Sequence, residues 1–461
     1  MRPLLPLLFL LACDPPPATD ASDSTDTTDD TDVVPEVRPA LPIIPDAEDL
    51  DEDPDVVRVA LTAAPHTFTI GGQEVEGYAY NGGVPGPTIR AKLGDTVIVE
   101  ITNGLEDPTT VHWHGAHVPY AMDGVTWTED PIAPGETFTA TFTATHAGTS
   151  WYHPHFDTAR QVDLGLYGAL VVTDPDEPAV DRDLVVIADA WGEHDARTPP
   201  EGDNHHGLDG AGMTWTFNGA IDPVLDVEPG ERVRLRLINA SNTGYLDLAP
   251  TSGARFIAGD QGLWAGPADH ALLGPGDRVE AELVVGGDDV GFDNHAYSLY
   301  GGTVGAGELT ARLHLRPTAA GATPALADWP WRSPSTSPDP GRTDLRFVLQ
   351  GDSAGEHWTI NGETFPDVTV PYVPIGQDTL VEVRNISPTN HPFHMHGHAF
   401  EVLSIDGVPL PDRPVEDTVD VGIRQTMRLR FLADNAGYWM THCHILPHAE
   451  GGMMTVVEVG E

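Results

Sequence analysis

Histidines form four short runs in this sequence, and a cysteine stands in the last of them. The runs are His112-Trp113-His114, His153-Pro154-His155, His391-Pro392-Phe393-His394-Met395-His396 and His442-Cys443-His444, with His448 and Met453 after the last. In an extended strand, residues i and i+2 point to the same side, so each His-x-His pair can present two imidazoles to one metal cluster. Imidazole together with thiolate and thioether is a ligand set that suits copper.

The tripeptide around Cys443 could bind two different metal centres. In a strand, His442 and His444 point to one side and Cys443 points to the other. A blue copper site takes a cysteine, two histidines and a weak axial methionine. The sequence offers such a set in His391, Cys443, His448 and Met453.

These four runs resemble the copper signatures of multicopper oxidases, the family of laccases and bacterial metallo-oxidases. The resemblance covers the chain from about residue 57 to its C-terminus. It implies about four coppers per chain, namely one type 1, one type 2 and two type 3. The type 2 copper would be held by His112 and His394. The type 3 pair would be held by six histidines: His114, His153, His155, His396, His442 and His444.

Carboxylates near such a cluster could supply the protons that dioxygen reduction consumes. Asp123 lies where the family has an acidic residue that serves the cluster, and the alternative is an ordinary Asp-Gly turn. Many relatives place an acid directly after the histidine that corresponds to His448. Here that position is Ala449, and Glu450 follows it, so its part in proton delivery stays open.

A weak internal repeat indicates how the chain is organised. Each copy has an Asn-Gly turn, then a proline, a glycine turn and a strand of alternating apolar residues. The turns are Asn81-Gly82, Asn218-Gly219 and Asn361-Gly362. Helical periodicity is almost absent, so the pattern predicts an all-β chain of β-sandwiches. The resemblance implies three cupredoxin-like Greek-key domains in tandem, which we place at residues 57–176, 177–317 and 342–461, with a linker at 318–341.

The N-terminus has the features of an export signal, with Arg2 before an apolar run from Leu4 to Leu11. Leu10-Leu11-Ala12-Cys13 resembles a bacterial lipobox, which implies that Cys13 carries a lipid after residues 1–12 are removed; an ordinary cleaved signal is the alternative. We expect residues 13–56 to be a disordered acidic tether. The protein would be exported and lipid-anchored in the bacterial cell envelope, on its periplasmic or outer face.

Charge and cysteine content narrow the range of partners. With 71 Asp and Glu against 23 Lys and Arg, the net charge is -48, which disfavours nucleic acid and anionic lipid surfaces. A membrane partner is therefore expected only through the lipid anchor. Cys13 and Cys443 are the only cysteines, so no intramolecular disulfide is expected if Cys13 carries lipid.

The resemblance implies an oxidase that couples one-electron oxidation of a substrate to reduction of dioxygen to water. The substrate could be a phenol, an aromatic amine or a low-valent metal ion. The methionine-rich insertions that some cuprous oxidases of this family use to gather Cu(I) are missing from this sequence. The acid- and histidine-rich loop between Trp191 and Trp215 could bind a metal ion or could be a solvated loop. A copper-free cupredoxin-fold protein and a copper nitrite reductase are the alternatives. The complete ligand set disfavours the first, and His442, His444 and the third repeat disfavour the second.

Overall fold

The computed structural model describes residues 38–127, 129–191, 213–251, 254–321, 325–351 and 357–461. Over these residues the chain consists of strands and short connections, with two short helices and a 3-10 turn at Tyr120–Met122. The prediction of an all-β fold of cupredoxin-like sandwiches is confirmed. The export signal with Cys13 and residues 192–212 of the polar loop lie outside the described residues. Within the described ranges, no helix has the length and apolar character needed to cross a membrane.

The first pair of sheets takes its strands from residues 56–173. These strands are β1 (Val56–Ile70), β2 (Gln73–Tyr80), β3 (Ile89–Lys92), β4 (Thr96–Asn103), β5 (His112–His114), β6 (Thr137–Thr143), β7 (Gly148–His153) and β8 (Gly168–Thr173). One sheet has the order β2-β1-β4-β6 and the other β3-β8-β7-β5. Alternate residues of β4 are buried because its period-two apolar pattern turns Val97, Val99 and Ile101 into the space between the sheets.

The second pair of sheets takes its strands from residues 182–317. These strands are β9 (Arg182–Trp191), β10 (Thr214–Phe217), β11 (Val224–Val227), β12 (Arg232–Asn239), β13 (Leu246–Pro250), β14 (Ala254–Gly259), β15 (Gly262–Ala268), β16 (Ala271–Leu273), β17 (Arg278–Val284), β18 (Val290–His295) and β19 (Leu309–Pro317). The two orders are β10-β9-β12-β17-β14-β15 and β11-β19-β18-β13-β16. A buried apolar cluster that includes Leu235, Phe256 and Phe292 lies between them.

The third pair of sheets takes its strands from residues 345–460. These strands are β20 (Leu345–Gly351), β21 (Trp358–Ile360), β22 (Tyr372–Pro374), β23 (Asp378–Asn385), β24 (His391–Met395), β25 (Phe400–Ile405), β26 (Val408–Pro409), β27 (Val415–Glu416), β28 (Thr418–Val421), β29 (Thr426–Leu432), β30 (Gly437–Cys443) and β31 (Met454–Gly460). The orders are β21-β20-β23-β29-β25-β26, with β27 on β25, and β22-β31-β30-β24-β28. The helices are α1 (Thr158–Asp163) and α2 (Leu446–Glu450).

In each copy of the internal repeat, the alternating strand ends in an asparagine, and these three asparagines make the same hydrogen bonds. Asn103, Asn239 and Asn385 each end a strand, donate from the side-chain amide to two backbone carbonyls, and accept the backbone N–H two residues on. The repeated asparagine therefore satisfies buried backbone groups where the chain leaves the sheet. The domain boundaries near residues 176 and 317 stay predictions.

The prediction of a disordered tether is wrong over residues 38–55. Leu41 is buried and its N–H donates to the Val224 carbonyl at 2.8 Å. Further along, the Ala47 N–H donates to the Thr88 carbonyl at 2.7 Å. The acidic composition of the whole segment concealed a short apolar stretch around Leu41, which gives this part of the chain a buried contact. The rest of the tether lies outside the described residues.

Candidate metal centre

Four strands bring the histidine runs together. β5 pairs antiparallel with β7, so His112 lies opposite His153. β24 pairs antiparallel with β30, so His394 lies opposite His442 and Phe393 lies opposite Cys443. The first two strands belong to the first pair of sheets and the other two to the third, and the histidines of all four runs are buried. Residues more than two hundred positions apart in sequence therefore share one interior site.

Eight histidines form three groups, two of which share His114, and in each group the candidate ligand atoms lie within 4.8 Å of one another. The groups are His114, His153 and His444; His155, His396 and His442; and His112, His114 and His394. These are the residues predicted for the type 3 pair and the type 2 copper. His442 and His444, which flank Cys443, fall in different groups, so one tripeptide contributes to both of the groups predicted for the type 3 pair.

Protein oxygens fix the imidazole orientations. The Nδ1 atoms of His112, His153 and His394 lie 2.8–2.9 Å from the backbone carbonyls of Asp123, Pro154 and Asp417, respectively. An imidazole that donates from Nδ1 keeps its lone pair on Nε2. Among the described residues, the Nε2 atoms of these three histidines are buried without a hydrogen-bond partner. Buried imidazole nitrogens in this state fit a metal ion, because a bare lone pair in the interior is costly.

His114 is turned the other way. Its Nε2 lies 3.1 Å from Asp417 Oδ1 and 3.1 Å from Thr418 Oγ1, and its Nδ1 is buried without a hydrogen-bond partner within the described ranges. His114 therefore offers Nδ1 to a metal where its neighbours offer Nε2. The His-x-His spacing gave no indication of this difference, because it depends on Asp417 and Thr418, which are about 300 residues away in sequence.

Burial keeps the imidazoles neutral. It lowers the pKa of His391 and of His442 to about 3, the latter with help from nearby histidines. Burial, followed by the charge of neighbouring imidazoles, also lowers the pKa values of His153, His155, His396 and His444 well below the usual range. Neutral imidazole is the form that binds metal. The site is thus ready to bind cations at neutral pH without releasing protons from these rings.

His391, Cys443 and His448 form a separate group on the other side of β30. Cys443 Sγ lies 3.3 Å from His391 Nδ1 and 3.7 Å from His448 Nδ1, and these two nitrogens are 3.2 Å apart. The backbone carbonyl of buried Met453 accepts from the Cys443 N–H at 3.1 Å. Burial raises the pKa of the Cys443 thiol, which a bound cation would reverse. The group therefore brings together the cysteine and the two histidines of a blue copper donor set.

Two side chains that sequence reasoning missed fix the histidines of this group. Ser387 Oγ lies 2.5 Å from His391 Nε2, which leaves Nδ1 of that ring turned toward the cysteine sulfur. The Trp358 ring stacks on the His448 ring with 3.6 Å between centroids. Neither residue belongs to a histidine run, so the ligand spacing could not reveal them. The four-residue separation of Ser387 from His391 was the only available signal.

Asp123 contacts one predicted ligand of the type 3 pair and one of the type 2 copper. Its Oδ2 lies 2.9 Å from His396 Nδ1, and its Oδ1 lies 3.2 Å from His112 Nδ1. The side chain is buried. Burial and then the negative charge of Asp123 raise the pKa of the neighbouring Glu129 to about 7. A pair of carboxyl groups, one of them able to carry a proton near neutral pH, therefore lies beside the histidine groups.

Glu450 has a different environment. Its Oε1 accepts from the Ala159 N–H at 2.8 Å, at the N-terminus of α1. The carboxylate thus satisfies a free backbone donor of that helix and joins α1 to α2. His398, two residues after His396, packs its ring edge-on against Phe431 and Trp439.

Asp417 is a further residue that the sequence did not single out. Its Oδ1 lies 3.1 Å from His114 Nε2 and accepts from Arg278 Nη1 at 2.7 Å. Burial alone would raise the pKa of this carboxyl group, but Arg278 holds it well below its usual range. Arg278 comes from β17, so one ion pair joins the second pair of sheets to the histidine groups.

Comparisons with known proteins agree with this geometry. Family models of multicopper oxidases match residues 62–177 and 337–461. The multicopper oxidase MmcO of Mycobacterium tuberculosis is 32% identical to this chain, over 87% of the chain and 86% of that protein. The chain belongs to the multicopper oxidase family. Laccase-1 of Trametes villosa is 28% identical to this multicopper oxidase, over 82% of the chain and 84% of the laccase.

Solved structures of relatives match this multicopper oxidase over nearly their whole length. A multicopper oxidase from Pseudomonas thermotolerans is 30% identical, with a TM-score of 0.74 over 88% of this chain and 99% of that one. A laccase from Pediococcus acidilactici is 26% identical, with a TM-score of 0.78 over 93% of this chain and 95% of that one. The protein is therefore a laccase-like copper oxidoreductase that uses dioxygen as electron acceptor.

Proposed function

We propose that this multicopper oxidase takes single electrons from a reducing substrate at a type 1 copper and passes them to a three-copper cluster. The type 1 copper would be bound by His391, Cys443, His448 and Met453, and the cluster by the eight histidines of the three groups. When bound, the coppers supply one-electron storage and the reduction of dioxygen. Four electrons and four protons convert one dioxygen to two waters.

The placement of the His442-Cys443-His444 tripeptide carries this proposal. Cys443 contacts His391 and His448 on one side of β30, and its two neighbours lie in the two predicted type 3 groups on the other side. The backbone of the tripeptide is therefore a short covalent link between the site of electron entry and the site of electron use. A protein that bound copper without oxidase activity would have no need of this link.

Asp123 is the residue placed to hold a proton for the cluster. Its two oxygens contact His396 and His112, which belong to different groups. Glu129 lies close enough for the charge of Asp123 to help raise its pKa to about 7. It can therefore gain and lose a proton near neutral pH. Because Glu450 is engaged with the N-terminus of α1, we assign proton delivery to Asp123 and Glu129.

Oxygen consumption by the copper-loaded enzyme tests the proposed reaction. Phenols, aromatic amines, Cu(I), Fe(II) and Mn(II) would be supplied separately as electron donors. We expect at least one class of donor to support uptake with four donor molecules oxidised per dioxygen, together with about four coppers per chain and an intense blue band. Uptake that yields hydrogen peroxide, or a chain with one copper and no blue colour, would contradict the proposal.

We further propose that the protein is exported and held at the bacterial cell envelope by a lipid on Cys13. The support is the sequence Leu10-Leu11-Ala12-Cys13 after an apolar run. Cys13→Ser should release the protein from membranes while leaving its oxygen consumption unchanged. Full solubility of the unmutated protein, with a mature N-terminus downstream of Cys13, would contradict the anchor without affecting the proposed reaction.

A further inference from the structure

A cavity of about 100 Å³ is lined in part by His112 and His396. Beyond the predicted copper ligands, its lining includes His117, His146 and Asp434. The His117 and Asp434 side chains are partly exposed, at 28% and 51%. None of these three residues belongs to the four histidine runs, and the proposed reaction uses none of them.

Two imidazoles and one carboxylate lie close together in the lining of this cavity. The ring centroids of His117 and His146 are 5.5 Å apart. Asp434 Oδ1 lies 3.4 Å from His117 Nε2. That distance matches the separation of two ligand atoms on a tetrahedral ion with bonds of about 2.0–2.1 Å.

His398 provides an independent indication of a ligand in this cavity. It lines the same cavity, only 5% of its surface is exposed, and its Nε2 has no hydrogen-bond partner within the described ranges. A buried imidazole nitrogen in that state lacks the hydrogen bond that it would make in water. It is available as a fourth donor or as the acceptor of a hydrogen bond from a metal-bound water.

We propose that His117, His146 and Asp434 form an auxiliary site for one divalent transition-metal ion, such as Zn²⁺ or Cu²⁺, in addition to the proposed coppers. Two imidazoles and one carboxylate select ions of this class over Ca²⁺ and Mg²⁺, which prefer oxygen ligands. His146 is exposed, so its ring can turn to complete the site. The net charge of -48 raises the local concentration of cations at the surface.

Zinc titration of the copper-loaded full-length chain tests this site. Calorimetry should show one Zn²⁺ bound per chain, while the copper content and the blue band stay constant. His117→Ala and His146→Ala should each weaken Zn²⁺ binding about tenfold or more, since each removes one ligand. Co²⁺ in place of Zn²⁺ should give visible absorption bands that report imidazole ligands and that disappear in the double variant.

His66→Ala is the matched control, because His66 lies on β1 and stacks on Phe68 rather than on a second histidine. It should bind Zn²⁺ as tightly as the unmutated chain. Because His146 is exposed, His146→Ala should fold normally. The test therefore does not depend on His117→Ala alone. The site would be overturned if no zinc bound, or if the double variant His117→Ala/His146→Ala bound zinc as tightly as the unmutated chain. Neither result would contradict the proposed oxidase reaction, because the titration measures only zinc that binds in addition to the coppers.

Discussion

At the scale of single residues, the direction of each buried imidazole determines which nitrogen can bind copper. His112, His153 and His394 turn Nδ1 to backbone carbonyls and leave Nε2 for a metal, whereas Asp417 holds His114 with Nδ1 inward. Neutral rings with one fixed nitrogen need little reorganisation when a cation binds. The residue-level predictions follow from this separation of roles.

Replacement of Cys443 by serine should separate electron entry from dioxygen reduction. Serine removes the thiolate of the type 1 site, whereas the eight histidines of the three groups are untouched. We expect loss of the blue band and of substrate oxidation, with about three coppers per chain retained. Absorption and paramagnetic-resonance spectra with metal analysis check this. A blue band that survives Cys443→Ser would show that the ligand set is wrongly assigned.

His114→Ala should have the converse effect. The variant removes the one histidine that lies in two of the three groups, while the group around Cys443 is unchanged. We expect the blue centre to form and to accept electrons from substrate, but oxygen uptake to fall about a hundredfold or more. Anaerobic reduction followed by mixing with dioxygen measures the two steps separately. Undiminished oxygen uptake would contradict the proposed role of His114.

Asp123→Asn should slow the proton-dependent step. An amide keeps the size of the side chain but cannot gain or lose a proton near neutral pH. Reoxidation of the reduced enzyme by dioxygen should therefore slow about a hundredfold. Substrate should still reduce the blue centre at its original rate. Glu450→Gln serves as the control because Glu450 binds the N-terminus of α1. If Glu450→Gln slowed reoxidation and Asp123→Asn did not, the assignment of the proton donor would be reversed.

At the scale of elements, the centre depends on strands from all three pairs of sheets. β5, β7, β24 and β30, with the residues that directly follow the last three, provide the histidines of the first and third pairs. β17 of the second pair contributes Arg278, which donates a hydrogen bond to Asp417. Asp417 in turn contacts His114. The second pair carries none of the predicted copper ligands, yet it supplies the cation that neutralises the Asp417 carboxylate.

Removal of that cation should destabilise the fold and the centre together. Arg278→Met leaves Asp417 and Asp260 buried without the guanidinium that neutralises them. The expected loss is about 3–5 kcal/mol in the free energy of unfolding, with lower copper content. Arg316→Met is the matched control: its ion pair with Asp226 is more than half exposed, so little or no loss of stability is expected. Chemical denaturation of both variants compares the two losses, and equal losses would contradict the role of Arg278.

At the scale of the whole molecule, the histidine groups lie where the first and third sandwiches meet. Each of the three groups combines histidines from both. A metal bound there would connect the N-terminal and C-terminal parts of the folded body. Binding free energy at such a position contributes directly to the stability of the folded chain, because the unfolded chain has no assembled site.

Copper removal should therefore lower the thermal stability of the intact protein. After chelation of copper, we expect the Tm to fall by about 5–10 °C, and readdition of copper to restore it. Differential scanning calorimetry on the loaded, stripped and reloaded protein measures this shift. Before chelation, the Cys443→Ser variant should keep the cluster. Its Tm should therefore lie below that of the loaded protein by less than the fall that chelation causes. A Tm that is independent of copper would contradict a metal-linked interface.

The sequence by itself determined the chemistry of the centre and the class of fold. Strand geometry sends alternate residues to opposite faces, so the spacing around Cys443 already separated the two kinds of copper ligand. The repeated Asn-Gly turns with alternating strands likewise predicted β-sandwiches. These features are local, since they depend on the backbone period and on residue type within a few positions.

Only the tertiary structure decided how the ligands are held. Asp417 and Arg278 lie outside the histidine runs, and their contacts with His114 and with each other form only when separate strands pack together. The packing of residues 38–55 on the body was also missed, because average composition does not reveal a single buried side chain. Hydrogen-bond direction and burial are properties of neighbours in space, so residue spacing along the chain could not specify them.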